Sequence, residues 1–267
     1  MQNIAVIIAI TLAVAAIAHF FGPSAPARRK THRTLIAAIS AAVAASVAVF
    51  GIEAFVEDDS AVIDKTVADA RTLPLVGLVL DDVPGAEKRL RASLREELRT
   101  PTTQGAPRPL LLMAELRSTH IVPALRATDP ADAQAVLDAR IALMRHLRDA
   151  DISSCRELAL VGLQRTDKLD ATSQKLMRAM LSSMEKAYRA GRAVLQDGAA
   201  PHSPSDAEAA TLLAEAGLTV DDFDSLKNLA RQSAQDACDL GIKLNEASRK
   251  LPAGKAGPLA RYLAAAQ

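Results

Sequence analysis

The chain has 267 residues, about half of them hydrophobic, and its 32 basic and 31 acidic side chains leave a formal net charge of +1. Without a basic surplus, and with only five Phe, two Tyr and no Trp, it lacks the charge and the stacking aromatics of a nucleic-acid-binding protein. The composition therefore excludes nucleic acid as a partner. It favours a core of Leu, Ala, Val and Met, which suits packed helices better than strands.

Two apolar segments near the N-terminus predict a transmembrane helical hairpin over residues 1–56. The first, Ile4 to Phe21, would measure about 27 Å as a helix, close to the ~30 Å thickness of the hydrocarbon core. The second, Leu35 to Phe55, carries no charge before Glu53, and a helix satisfies its backbone in lipid. A cleaved secretory signal ending near Ser24 to Ala27 is the alternative for the first segment, although no basic residue precedes it.

The loop between the two spans, residues 22–34, sets the predicted orientation in the membrane. Its basic side chains, which the N-terminus lacks, are Arg28, Arg29, Lys30 and Arg33. Basic residues beside a membrane stay preferentially on the cytoplasmic side. For a bacterial inner-membrane protein, which the Ala- and Arg-rich composition suggests, we therefore expect the region after the hairpin to be periplasmic. A cytoplasmic location is the alternative.

Residues 57–267 predict a soluble all-α bundle domain. Stretches rich in Pro, Gly and Ser at 100–109 and 198–204 read as linkers and mark two potential sub-boundaries. The apolar run Leu73 to Leu80, interrupted by Pro74 and Gly77, is expected to be buried against the bundle. The alternative is that this run contacts lipid.

Hydrophobic periodicity and capping residues predict the helices of the first two thirds of this domain. A helix from residue 57 to 72 is followed by one that Asp82 caps and that extends to Arg99. The next helices are expected at residues 110–128 with a kink at Pro123, from Asp129 onward, at 153–163 and at 170–195.

The C-terminal third contains two capping-box patterns, Ser205 to Glu208 and Thr219 to Asp222, and Gly217 can end the helix between them. Thr219 is predicted to open one long helix that continues to Leu251, and a last short helix is expected from residue 258. The long helix carries residues at alternating spacings of three and four that could form a seam with a partner helix of the same chain or of another subunit. The seam positions are Phe223, Leu226, Ala230, Ser233, Ala237, Leu240 and Leu244.

Cys155 and Cys238 are the two cysteines, and their separation of 83 residues matches no metal-binding spacing. A disulfide between them is allowed if the domain is periplasmic. The closest approach to a metal-type pair is His146 with Asp149, which has no second His or Cys beside it. We therefore expect no metal or cofactor, and no phosphate loop, nucleophile elbow or HExxH motif indicates an enzyme.

These features predict a membrane-anchored interaction, scaffold or accessory protein without catalysis of its own. Its expected partners are the lipid bilayer and another protein or a second copy of the chain. One alternative is a helical sensor or small-ligand-binding domain that signals through a partner. A further alternative, an enzyme with dispersed catalytic residues, would show a pocket with converging polar groups.

Overall fold

A computed structural model describes residues 59–163 and 166–266. Within these residues every regular element is a helix, which confirms the all-α prediction. None of the described helices combines the length and the apolar character that crossing a bilayer requires. The predicted hairpin, with its spans at 4–21 and 35–55, lies outside the described residues.

The chain divides into two compact units whose boundary falls between Ser118 and Thr119. Unit 1 ends at Ser118 and unit 2 covers Thr119–Gln267. The predicted linker at 198–204 is a loop, and the one at 100–109 is a loop up to Pro107, after which α4 begins at Arg108. Both lie inside a unit.

Unit 1 contains four described helices, of which α3 contacts each of the other three. Their bounds are α1 Asp59–Arg71, α2 Pro74–Asp82, α3 Ala86–Arg99 and α4 Arg108–Leu116. The apolar run from Leu73 lies mainly in α2, where Val76 to Leu80 are all buried. The expectation that this run is buried is therefore confirmed.

The prediction that Asp82 caps the helix extending to Arg99 is wrong, because a turn lies between Asp82 and that helix. Asp82 is the last residue of α2, and α3 begins only at Ala86. Pro84 restricts the residue before it to extended conformations, and Val83 has φ −101° and ψ 111°. Gly85 then adopts a φ of +78°, which a residue without a Cβ tolerates, so these residues separate the two helices.

Charged side chains link the first three helices of unit 1. Arg71 forms ion pairs of 2.5 Å with Asp81 of α2 and with Glu87 of α3. Arg91 of α3 pairs with Glu87 at 2.7 Å and also with Asp64 of α1. The two guanidinium groups lower the pKa of Glu87, because they stabilise its ionised form.

Glu97 orders the loop that precedes α4. Its carboxylate accepts hydrogen bonds from the backbone amides of Thr102 at 2.6 Å and Arg108 at 3.0 Å. The Thr102 hydroxyl donates a third, at 2.8 Å. The segment read from the sequence as a linker is thus attached to the end of α3.

The single helix predicted over 110–128 is replaced by three elements. After α4 comes a π-helical turn, Arg117–Ile121, and then the short helix α5, Val122–Ala127. Pro123 has no N–H to donate to the preceding turn, so the α-helical ladder is interrupted close to the predicted kink.

Unit 2 is arranged around one central helix, α6, which contacts α7, α8, α11 and α12. The helices after α5 are α6 Pro130–Ala150, α7 Ile152–Leu160, α8 Ala171–Gln196, α9 Asp206–Glu215, α10 Val220–Lys227, α11 Ala234–Glu246 and α12 Ala253–Ala265. Short 3₁₀ turns lie at Thr166–Lys168, Leu229–Arg231 and Ala247–Lys250.

Several helix starts in unit 2 follow the capping residues read from the sequence. Asp129 accepts a hydrogen bond from the amide of Ala131 at 2.8 Å and caps α6. Complete capping boxes open α9 at Ser205 and α10 at Thr219, and Gly217 follows α9 with a φ of +93°. These predictions are confirmed.

Candidate functional site

A break in the predicted long helix creates the most distinctive feature of unit 2. In place of one helix from Thr219 to Leu251, α10 ends at Lys227 and α11 begins at Ala234. The side chain of Asn228 donates to the carbonyl of Asp224 at 3.0 Å where α10 ends. Ser233 caps α11 by accepting from the amide of Asp236 at 3.1 Å. The prediction of a continuous helix was therefore wrong. Two local side-chain hydrogen bonds, from Asn228 and to Ser233, end one helix and begin the next in spite of the regular hydrophobic spacing.

The break also divides the predicted partner seam. Ala230 and Ser233 are exposed, and they separate the partly buried Phe223 and Leu226 of α10 from the positions on α11. On α11, Ala237 and Leu240 are buried and Leu244 is partly buried. Since α11 contacts α6 and α7, the partners of this half of the seam lie in the same chain.

A groove of about 280 Å³ lies where α10 folds back beside α11. Three carboxylates and one ammonium group provide its charge, so the lining carries a net negative charge. Its lining residues are Asp222, Ser225, Gln232, Asp236, Asp239, Leu240 and Lys243.

Asp222 is the most strongly perturbed carboxylate of the groove. It accepts from the ammonium of Lys243 at 2.5 Å and from the backbone amide of Thr219 at 2.6 Å. These two donors, with Lys243 the stronger, lower the pKa of Asp222 to about 2. Asp222 is consequently ionised at neutral pH and acts as an acceptor, so it cannot serve as a general acid.

The other two carboxylates of the groove also have partners. Asp236 accepts from the Ser233 hydroxyl at 2.6 Å. Asp239 accepts from the side-chain amide Nε2 of Gln235 at 2.7 Å and lies 3.5 Å from the guanidinium of Arg148. In the described residues no group of His, Cys, Asp and Glu is arranged to hold a metal ion. The groove can thus receive a basic or hydrogen-bond-donating group, and its carboxylates are oriented by the fold.

The two cysteines lie in the core behind the groove. The structure joins Cys155 of α7 and Cys238 of α11 in a disulfide with a Cα–Cα distance of 5.4 Å, and neither residue is exposed. Around them pack apolar side chains from α6, α7, α8 and α11, including Met144, Leu158 and Ile242. The pair connects α11, which provides much of the groove, to the helix behind it.

Buried arginines are a feature that the sequence analysis did not identify. Arg140 donates to the carbonyl of Leu158 at 2.7 Å, and burial lowers its pKa to about 10. Arg261, only 8% exposed, donates to the carbonyl of His202 at 3.1 Å. Each guanidinium thereby binds a backbone oxygen, which indicates a role in packing. No periodic or motif signal marks these positions.

The two residues considered as a metal-type pair, His146 and Asp149, have other partners in the structure. His146 lies 3.2 Å from a carboxylate oxygen of Asp170, the residue that caps α8, rather than forming a pair with Asp149. Asp149 is the neighbour of Arg148, 3.4 Å away. The basic residues predicted to determine topology, Arg28, Arg29, Lys30 and Arg33, lie outside the described residues.

Comparisons with protein-family models, with curated proteins and with solved structures found no match.

Proposed function

We propose that the chain is a membrane-anchored helical interaction protein that acts as a scaffold or accessory subunit, without catalysis of its own. The observation that carries this proposal is the combination in one chain of two apolar segments of membrane-spanning length with compact helical units. The groove between α10 and α11 supports it, because its charged side chains are held by neighbouring groups and form a polar contact surface. We take a basic segment of another protein to be the complement of this surface.

We further propose that the helical units lie on the periplasmic side of a bacterial inner membrane. Two observations support this location. The basic loop at residues 22–34 favours a cytoplasmic position for itself, which leaves the following region outside. The buried pair Cys155 and Cys238 has a Cα separation suited to a disulfide, and such bonds persist in oxidising compartments.

The interaction proposal is tested by photo-crosslinking in intact cells. A photoreactive amino acid replaces Ser225, which lines the groove, and in a second strain it replaces Ala210, which is exposed on α9. We expect a discrete protein adduct from position 225 that is absent from position 210. The adduct should be lost when Asp236→Asn and Asp239→Asn remove two charges from the groove. Equal adducts at both positions, or none at 225, would contradict a contact at the groove.

A small-ligand-binding domain is the second candidate, and the negatively charged lining of the groove is the observation that favours it. At about 280 Å³ the groove is close to the lower end of ligand-site volumes, roughly 300–1,000 Å³. Its negative lining would select a cationic molecule. A concentration-dependent rise in melting temperature with a polyamine, abolished by the same two Asn substitutions, would support this candidate.

A further inference from the structure

The outermost face of α3 in unit 1 is basic. Lys88, Ala92, Arg95 and Arg99 follow one another at spacings of four, three and four, and all four are exposed. Residues at these spacings lie along one side of a helix. The buried Leu90 lies on the opposite side of α3. These four positions, called here the basic face, thus point away from the rest of unit 1.

The cations of the basic face form no ion pair within the described part of the chain, although the exposed Glu96 lies beside this face one turn before Arg99. The neighbouring Arg89 pairs with Glu115 at 2.6 Å, and Arg91 pairs with Glu87. In contrast, no carboxylate among residues 59–163 and 166–266 forms an ion pair with Lys88, Arg95 or Arg99. Arg95 and Arg99 lie one turn apart, where like charges repel each other. An anionic partner would relieve that repulsion.

The sequence places α1, to which α3 is attached, directly after the predicted second span. Only residues 56–58 separate Phe55, the last residue of that span, from Asp59, where α1 begins. Even a fully extended chain covers at most about 14 Å over these four steps. Asp64, five residues or about 8 Å along α1 from Asp59, then pairs with Arg91 and attaches α3 to the first half of α1. If Phe55 lies at the membrane boundary, the basic face is held within reach of the lipid surface.

We propose that the basic face of α3 rests on the anionic phosphate headgroups of the membrane in which the chain is anchored. This inference rests on the membrane anchor of the proposed function. The anchor makes the encounter intramolecular, so the modest attraction of each basic residue to anionic lipid is sufficient. The acidic residues Glu57, Asp58 and Asp59 adjoin the span in every orientation of unit 1. At physiological salt, electrostatic interactions are screened beyond about 8 Å. The side chains that lie directly against the lipid therefore determine which side of α3 faces the membrane, and the basic face is the side that anionic lipid attracts.

The test uses the full chain in lipid nanodiscs with a donor fluorophore at Ala92→Cys and an acceptor on lipid headgroups. Both native cysteines are fully buried and joined to each other, so position 92 alone is labelled without reductant. One set of discs contains phosphatidylcholine, and the other also contains phosphatidylglycerol. We expect energy transfer to rise about twofold with the anionic lipid. The rise should disappear in the triple variant Lys88→Gln, Arg95→Gln and Arg99→Gln.

The matched control carries Lys175→Gln, Arg178→Gln and Arg189→Gln, which remove the same charge from exposed positions on α8. We expect this control to keep the rise, with the helicity of both variants unchanged. Equal transfer in the two kinds of disc, or equal loss in the two variants, would overturn the lipid contact while leaving the anchor intact. A chain that does not stay with the discs at all would overturn the anchor and the lipid contact together.

Discussion

Asp222 receives hydrogen bonds from two elements, because Thr219 belongs to the start of α10 and Lys243 belongs to α11. A single carboxylate therefore both completes a capping box and joins the two helices of the groove. At this scale, single residues such as Asp222 fix distances between helices that the hydrophobic pattern leaves open.

The Asp222 carboxylate makes the stability of unit 2 sensitive to acid. Its pKa of about 2 in the folded chain lies below the value of about 3.9 in an unfolded chain, so the unfolded state binds the proton more readily. Its contribution is complete above pH ~4 and is lost as the pH falls toward 2. Asp222→Asn should lower stability by about 1 kcal/mol at pH 7 and flatten the pH dependence between 4 and 2.

Urea unfolding of the full chain in detergent at pH 7 and pH 3 checks this prediction. Asp221→Asn is the control, because Asp221 is an exposed neighbour in the same first turn. If Asp222→Asn and Asp221→Asn shift the urea midpoint equally at both pH values, the role assigned to Asp222 is wrong.

Gly191 allows a close approach between α8 and α5. A Cβ at this position would overlap the carbonyl oxygen of Ala124 and would lie 3.1 Å from the amide of Thr128. Gly191→Ala should therefore cost about 1–3 kcal/mol through displaced backbone. Gly254→Ala is the control, since an added Cβ there meets nothing within 4 Å, and it should leave stability unchanged or slightly higher. Thermal unfolding that ranks the two variants equally would refute the close approach.

At the scale of elements, helices that have both a capping residue and a regular hydrophobic spacing were predictable from the sequence, whereas the break at 228–233 was not. The starts of α6, α9 and α10 followed from Asp129, Ser205 and Thr219, because their side chains bond to amides a few residues away. The break depends on Ser233, which caps α11 in the structure. In the sequence the same residue fitted equally well as a small residue in the seam of a continuous helix. A sequence pattern cannot decide between a capping role and a seam role when both are local and similar in energy.

The last helix illustrates a second limit of the sequence. α12 begins at Ala253, five residues before the predicted start, and Pro258 lies inside it. The proline was interpreted as a helix start, the position at which its missing N–H is harmless. Burial of Gly257, Leu259 and Ala260 shows that tertiary packing continues α12 across the proline. The groove was missed for a different reason: it exists only where the predicted long helix is broken at 228–233, and the hydrophobic pattern did not show that break.

Helices α7 and α11 are joined by Cys155 and Cys238, and the effect on stability is testable. Cross-linking residues 83 apart stabilises by up to about 4–5 kcal/mol in the chain-entropy model, less any strain in the native state. We expect added reductant to lower the melting temperature of the oxidised chain. The double variant Cys155→Ala and Cys238→Ala should melt at a similarly lowered temperature and should not respond to reductant. A wild-type chain whose melting is unaffected by complete reduction would contradict this prediction.

At the scale of the whole molecule, the structure describes two helical units, to which the proposed function adds a membrane anchor and a contact with a protein partner. The class of architecture follows from three observations: the net charge of the chain is close to zero, aromatic residues are scarce, and the described region is all-α. Under the proposed function, the side of the membrane on which the units lie would determine whether the cysteines are oxidised, which partners are available and which lipid leaflet the basic face of α3 meets.

The most direct measurement is therefore a pair of fusions after Gln267, one to alkaline phosphatase and one to a fluorescent protein that matures only in the cytoplasm. The activities of the two fusions in intact cells report directly on which side of the membrane Gln267 lies. A fusion between residues 28 and 33 serves as the control for the cytoplasmic side. We expect phosphatase activity without fluorescence after Gln267. Fluorescence without phosphatase activity would contradict the orientation, leave both thiols reduced, and move the search for partners to the cytoplasm.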